Sequence, residues 1–173
     1  MCHIHETCHQ PFYNGNKEID RESMRKKPTY GKIATNMQEE EMNRLGTLHH
    51  IEIYVSDLNR STEFWGWFLT ELGYSLYQEW EEGRSWKLDD TYLVFVQAQE
   101  QHLGIPYHRS RVGLNHLAFH ARSRDHVDEM TEKVRSRGMN VLYEDRHPYA
   151  GGDSYYALFF EDPDRIKVEL VAP

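Results

Sequence analysis

The chain has 173 residues, with 39% hydrophobic and 13% aromatic side chains, enough for one domain with a substantial core. Its formal charge of −8 argues against a nucleic-acid partner, whose phosphates demand basic surface. No apolar run approaches a membrane span, the first residues lack an apolar signal stretch, and two cysteines, Cys2 and Cys8, build no disulfide framework, so a cytoplasmic location is expected.

Residues 1–45 are polar without a sustained period and are expected to form a flexible N-terminal extension, with a short helix over MQEEEMNRL. Met37 or Met42 would serve as natural starts. The opening MCHIHETCH carries five metal-capable side chains, Cys2, His3, His5, Cys8 and His9, in a spacing that fits no common zinc pattern. Adventitious binding is the expectation there.

The folded domain is expected over residues 46–173. Ile51, Ile53 and Val55 alternate with His50, Glu52 and Tyr54, the period of a half-buried strand. Ser56 or Asp57 then caps a helix whose stripe is Trp65, Phe68, Leu69 and Leu72 and which Gly73 closes. Three strands follow, over YSLYQEW, RSWKL and TYLVFVQA.

The order then repeats. LNHLAFHA is a strand, Ser123 or Asp125 caps a helix striped by Val127, Met130 and Val134, and Gly138 ends it. NVLYED, SYYALFF and IKVELVA are expected as three further strands. A shift of about 66 residues lays Leu48, His50, Ile51 and Ile53 on Leu114, His116, Leu117 and Phe119. The expected fold is α+β: two βαβββ modules, about 47–100 and 112–173, forming a curled mixed sheet around a metal-binding cleft.

One helix per module covers one sheet face, so the other face lines the cleft. Alternation sends His50, Glu52 and Tyr54 inward from the first strand, His116, Ala118 and His120 from the fifth, and Lys167, Glu169 and Val171 from the last. Two imidazoles and a carboxylate, His50, His116 and Glu169, are a sound ligand set for one divalent metal such as Fe, Mn, Zn, Ni or Co. Aligning the fourth strand with the last sets Phe95 against Glu169. That leaves three protein ligands and open positions for water or substrate, with Gln97 as a weaker fourth donor. His49 has no role beyond a polar strand end.

These residues look like those of the vicinal oxygen chelate superfamily, which includes glyoxalase I, fosfomycin-resistance enzymes, extradiol dioxygenases and bleomycin-binding proteins. The resemblance covers roughly residues 47–173 and rests on LHHIEIYVSDLNRSTEFW, GLNHLAFHA and FFEDPDRIKVELVAP. It implies metal ligands on the first, fifth and eighth strands, at His50, His116 and Glu169. It implies a cleft whose halves come from one chain or from two exchanging modules, hence a homodimer as one arrangement. Departures are Arg165 where the family turn usually has glycine, Phe95 where glyoxalase I adds an acidic ligand, and Phe159 where extradiol enzymes carry a tyrosine.

The expected function is a metal-dependent glyoxalase-like enzyme, a lyase or isomerase, acting on a small molecule chelated through adjacent oxygens. An iron-dependent extradiol-type dioxygenase and a non-catalytic small-molecule binding or resistance protein are the alternatives. His120, Glu52 and Tyr54 are the catalytic candidates, His120 first because imidazole titrates near neutrality. Tyr155, Tyr156 and His147 stand on the HPYAGGDSYY loop, read as a mobile lid. Trp86, Phe95 and Tyr54 hint at a partly apolar substrate.

Overall fold

A computed structural model describes residues 45–173; the expected extension, its short helix and the Cys/His cluster lie outside the described residues. Leu48–Pro173 form one unit. Its first half runs β1 (His50–Val55), α1 (Leu58–Glu71), β2 (Ser75–Trp80), β3 (Gly83–Leu88) and β4 (Thr91–Gln97). After a 3-10 turn at Glu100–His102 come β5 (His116–His120), α2 (Arg124–Ser136), β6 (Ala157–Glu161) and β7 (Lys167–Val171). Among the described residues no helix is long and apolar enough to cross a membrane.

Local chemistry sets the helix ends. The Asp57 carboxylate accepts from the Arg60 amide and the Ser123 hydroxyl from the His126 amide, each satisfying an otherwise orphaned donor of the first turn. Gly73 and Gly138 leave the helices at φ 92° and 68°, where a side chain would be strained.

The expectation of one curled sheet is corrected. Two separate mixed sheets form, one of four strands in the order β1-β4-β3-β2 and one of three in the order β5-β7-β6. Neither closes or curls strongly on itself, and β1 and β5 are both edge strands. Side chains, rather than a shared ladder, join the halves. The ring of Phe64 lies 5.8 Å from that of Phe160, Phe68 lies 5.3 Å from Phe119, and Trp65 lies 6.5 Å from Phe119. Phe64, Trp65, Phe68 and Phe160 belong to one buried cluster drawn from both halves, and half-buried Phe119 packs against it.

The second half also lacks the strand expected over NVLYED. Val141 makes a single bridge to Phe160, and Tyr143 then turns the chain at φ 58°. The Leu142 amide donates to Phe159 O across this bridge and the Arg146 amide to Tyr143 O in the turn that follows, so the backbone is satisfied by one bridge and a turn rather than by an extended ladder.

The EDPDR turn between β6 and β7 is the second tie between halves. Asp164 accepts from both the amide and the hydroxyl of Ser56 at the end of β1. Asp162 is buried; its Oδ2 accepts from Trp65 Nε1 at 3.1 Å and its Oδ1 from the amides of Asp164 and Ile166. Burial pushes this carboxyl up to about 7, against three donors that favour the anion. Arg165, in the glycine position of the turn, sits at φ 67°.

Candidate functional site

Register decides which side chains share a face. In the first sheet the rows are His50 with Tyr92, Glu52 with Val94, and Tyr54 with Val96. In the second they are His116 with Lys167, Ala118 with Glu169, and His120 with Val171. Strand alternation places every one of these pairs on the face away from its helix. Position 94, not 95, is therefore the counterpart of Glu169. Phe95 points to the helix side against Trp65, so the expected pairing was one residue out. Valine, like phenylalanine, offers no ligand.

Two of the three expected metal ligands come together. Glu169 is only 3% exposed, and its Oε2 stands 3.2 Å from Nε2 of His116. Its Oε1 accepts from the Tyr155 hydroxyl at 2.5 Å, and this contact holds the phenol up at about 12. The other His116 nitrogen, Nδ1, lies 2.7 Å from Oδ1 of Asn115. That amide oxygen accepts from Nδ1, which leaves Nε2 as the nitrogen that faces the carboxylate.

His50 is not grouped with them. Its ring stacks on Tyr92 at 4.8 Å, and its Nδ1 lies 2.8 Å from Nδ1 of His49. Among the described residues no group of three or more His, Cys, Asp or Glu side chains is close enough to hold a metal. Among the described residues of one chain the donor set is thus a pair. A carboxylate and an imidazole on one face suit a divalent cation, which would need at least one further protein donor to make the usual three.

The catalytic candidates divide between the sheets. Glu52 and Tyr54 stand exposed on β1, and His120 stands exposed at the end of β5. A groove of about 340 Å³ runs beside β1, lined by Glu52, Tyr54, Ile105, Tyr107, Arg111 and Val112 among others. A larger one of about 590 Å³, between Arg60, Glu63, Arg137 and Asn140, opens on the other side and includes none of the candidates.

Other expected lining residues have structural work. Trp86 is buried beneath Gly66, where an added Cβ would lie 3.1 Å from its ring. Gln97 caps the turn after β1: its Oε1 accepts from the Leu58 amide, and its Nε2 donates to Ser56 O and Ala98 O. With both ends engaged it is no ligand. Tyr156 reaches away from the pair to Asp128. His147 lies against Thr131 of α2, and burial lowers its pKa.

Residues 47–170 match the family pattern of the Glyoxalase/Bleomycin resistance protein/Dioxygenase superfamily. The chain is 68% identical over 126 residues to the uncharacterised protein YqjT of Bacillus subtilis, covering 73% of this chain and 98% of that one. It is 30% identical over 131 residues to a lactoylglutathione lyase of Escherichia coli O157:H7, covering 72% of this chain and 90% of the relative. A crystal structure from Bacillus halodurans, described as a candidate glyoxalase, superposes with a TM-score of 0.76 at 57% identity, covering 76% of this chain and 99% of that one. The duplicated strand–helix units, the His116–Glu169 pair and these likenesses together make this chain a member of the glyoxalase/bleomycin-resistance/dioxygenase superfamily.

Proposed function

We propose that the protein is a metal-dependent enzyme of the glyoxalase type, a lyase or isomerase, whose site is shared between two copies of the chain. His116 and Glu169 of one copy and His50 of the other would hold one divalent ion. The bound ion would act as a Lewis acid toward a small substrate offering two adjacent oxygens. The observation that carries the reading is the buried Glu169 carboxylate facing the His116 imidazole across 3.2 Å on an accessible sheet face. A buried carboxylate costs free energy unless something compensates its charge.

Sharing between copies is supported by what one chain leaves open. β1 and β5 are edges with unpaired outer ladders, and Tyr54, Ile105 and Val112 expose large apolar surface beside them, at 61, 76 and 109%. His50 stands on the first of these edges and His116 on the second. Glu52, Tyr54 and His120 lie on the same faces and are the groups of this chain available to carry a proton. The similarity to a lactoylglutathione lyase favours this chemistry over ring cleavage, for which Phe159 supplies no hydroxyl.

The test is complementation. Chains carrying His50→Ala and chains carrying Glu169→Ala, co-expressed as a mixed dimer, should regain one intact metal site per dimer, while each variant alone has none. If the mixed dimer holds no more metal than either parent while the unaltered protein holds about one ion per chain, the site does not span two copies. If the unaltered chain, purified without added cations, holds no metal at all, the protein binds its ligand without one.

A further inference from the structure

Tyr155 and Tyr156 are neighbours with opposite anchors. Tyr156 faces α2: its hydroxyl donates to Asp128 Oδ1 at 2.7 Å, the Arg124 guanidinium lies 5.1 Å over its ring, and its carbonyl accepts from the Ala172 amide. With Tyr156 pinned, the next side chain back points the other way, and Tyr155 reaches Oε1 of Glu169. The approach is fixed on the loop side as well. The Tyr155 amide donates to Gly152 O, and the ring lies so close to Gly151 that an added Cβ there would stand 2.3 Å from Cδ1. No side chain larger than hydrogen fits between that backbone and the ring.

The two oxygens of Glu169 therefore have different neighbours. Oε1 is taken by Tyr155, and Oε2 is the one that faces His116. We infer that Tyr155 is a positioning residue that holds Glu169 as a one-oxygen ligand, with Gly151 supplying the space for its ring. This inference rests on the metal-site reading above. A carboxylate free to rotate would present either oxygen, or both, and would lose torsional freedom on binding an ion. A carboxylate held by the phenol has already lost it, so its ligand geometry is formed in advance.

The test titrates Co²⁺ into the full chain, purified free of metal, and follows its visible absorption. Tyr155→Phe should weaken Co²⁺ binding about 10- to 100-fold, the usual cost of removing a group that orients a ligand. The thermal midpoint without metal should fall only by what one hydrogen bond to a buried carboxylate is worth, since the ring itself stays in place. Gly151→Ala, by displacing the ring, should weaken Co²⁺ binding comparably in the parent chain and add no further loss to Tyr155→Phe. A role in general loop packing would instead leave Co²⁺ binding unchanged in Tyr155→Phe, whose ring is kept, or make the two variants' effects on it add. Binding within twofold of the parent in Tyr155→Phe overturns the inference and leaves the metal site standing. If the parent itself takes up no Co²⁺, the metal site falls and the inference falls with it.

Discussion

The two halves of the chain are copies that have divided their labour. A shift of 66 residues lays Phe64, Trp65 and Phe68 of α1 on Met130, Thr131 and Val134 of α2. The first helix is thus aromatic where the second carries methionine, threonine and valine. Its rings reach Phe95 in their own sheet and Phe119 and Phe160 in the other, whereas Thr131 folds its hydroxyl back onto Val127 O. The sheet faces differ in the converse way. The first sheet carries its carboxylate on the edge strand, at exposed Glu52 opposite Val94; the second carries it one strand inward, at buried Glu169 opposite Ala118. Packing duty has concentrated in the first half and the buried carboxylate in the second.

The largest effect should come from attacking the shared packing. Trp65→Ala removes a fully buried ring together with the hydrogen bond to Asp162, and should cost about 3–5 kcal/mol in denaturant unfolding. The duplicate position should be far more forgiving: Thr131→Ala should cost about 1 kcal/mol. Equal losses would show that the halves share the load evenly.

Next comes the ligand asymmetry. Glu169→Ala should abolish measurable metal uptake, read by metal analysis of the purified chain. Glu52→Gln should leave metal content unchanged and lower turnover about 100-fold if Glu52 carries a proton. Metal loss in Glu52→Gln would reverse the assignment of the two carboxylates.

A smaller difference should appear with pH. Burial lowers the pKa of His126, whose Nδ1 accepts from the Arg122 amide and so must be unprotonated in the folded chain. His147, behind the same helix, is lowered for the same reason. Below the unfolded value of about 6.5 the unfolded chain binds the extra proton first, so these residues' contribution is lost as pH falls through that value. Asp162 works in the opposite sense: its pKa is raised in the fold, so its contribution shrinks as pH rises toward 7. The difference between parent and His126→Gln isolates the histidine. That gap in thermal midpoint should be widest at pH 7.5 and narrow toward pH 5.5.

The smallest effect is a gain. Arg165 occupies a left-handed backbone at φ 67°. Arg165→Gly relieves it and should raise stability by about 0.5–1 kcal/mol, part of the relief being offset by glycine's freedom in the unfolded chain.

Much of this was legible in the residues. Capping side chains, closing glycines and clean alternation located both helices and the opening strand of each half, since in each case one local feature determines one local geometry. The face of β4 was not legible: YLVFVQ is apolar on both faces, and only pairing with His50 through Tyr92 sets which residue looks where. NVLYED misled for a related reason. Three alternating residues satisfy a strand pattern, but Asn140 is drawn to Glu161 and Tyr143 turns the chain, so only Val141 bridges. His50, His116 and Glu169 were chosen by strand parity within the repeated unit and by the family resemblance. Parity names a face but says nothing of whether two faces meet in one chain, and among the described residues they do not form a group of three.

The clasp from Ser56 to Asp164 and from Trp65 to Asp162 also bears on the ancestry of the doubled unit. A lone first half would leave Trp65 without its acceptor and Phe68 facing water. A lone second half would lose the cover over Phe119 and Phe160. Neither copy retains autonomy, so a break between Gln97 and His116 should release two fragments that fold only when mixed.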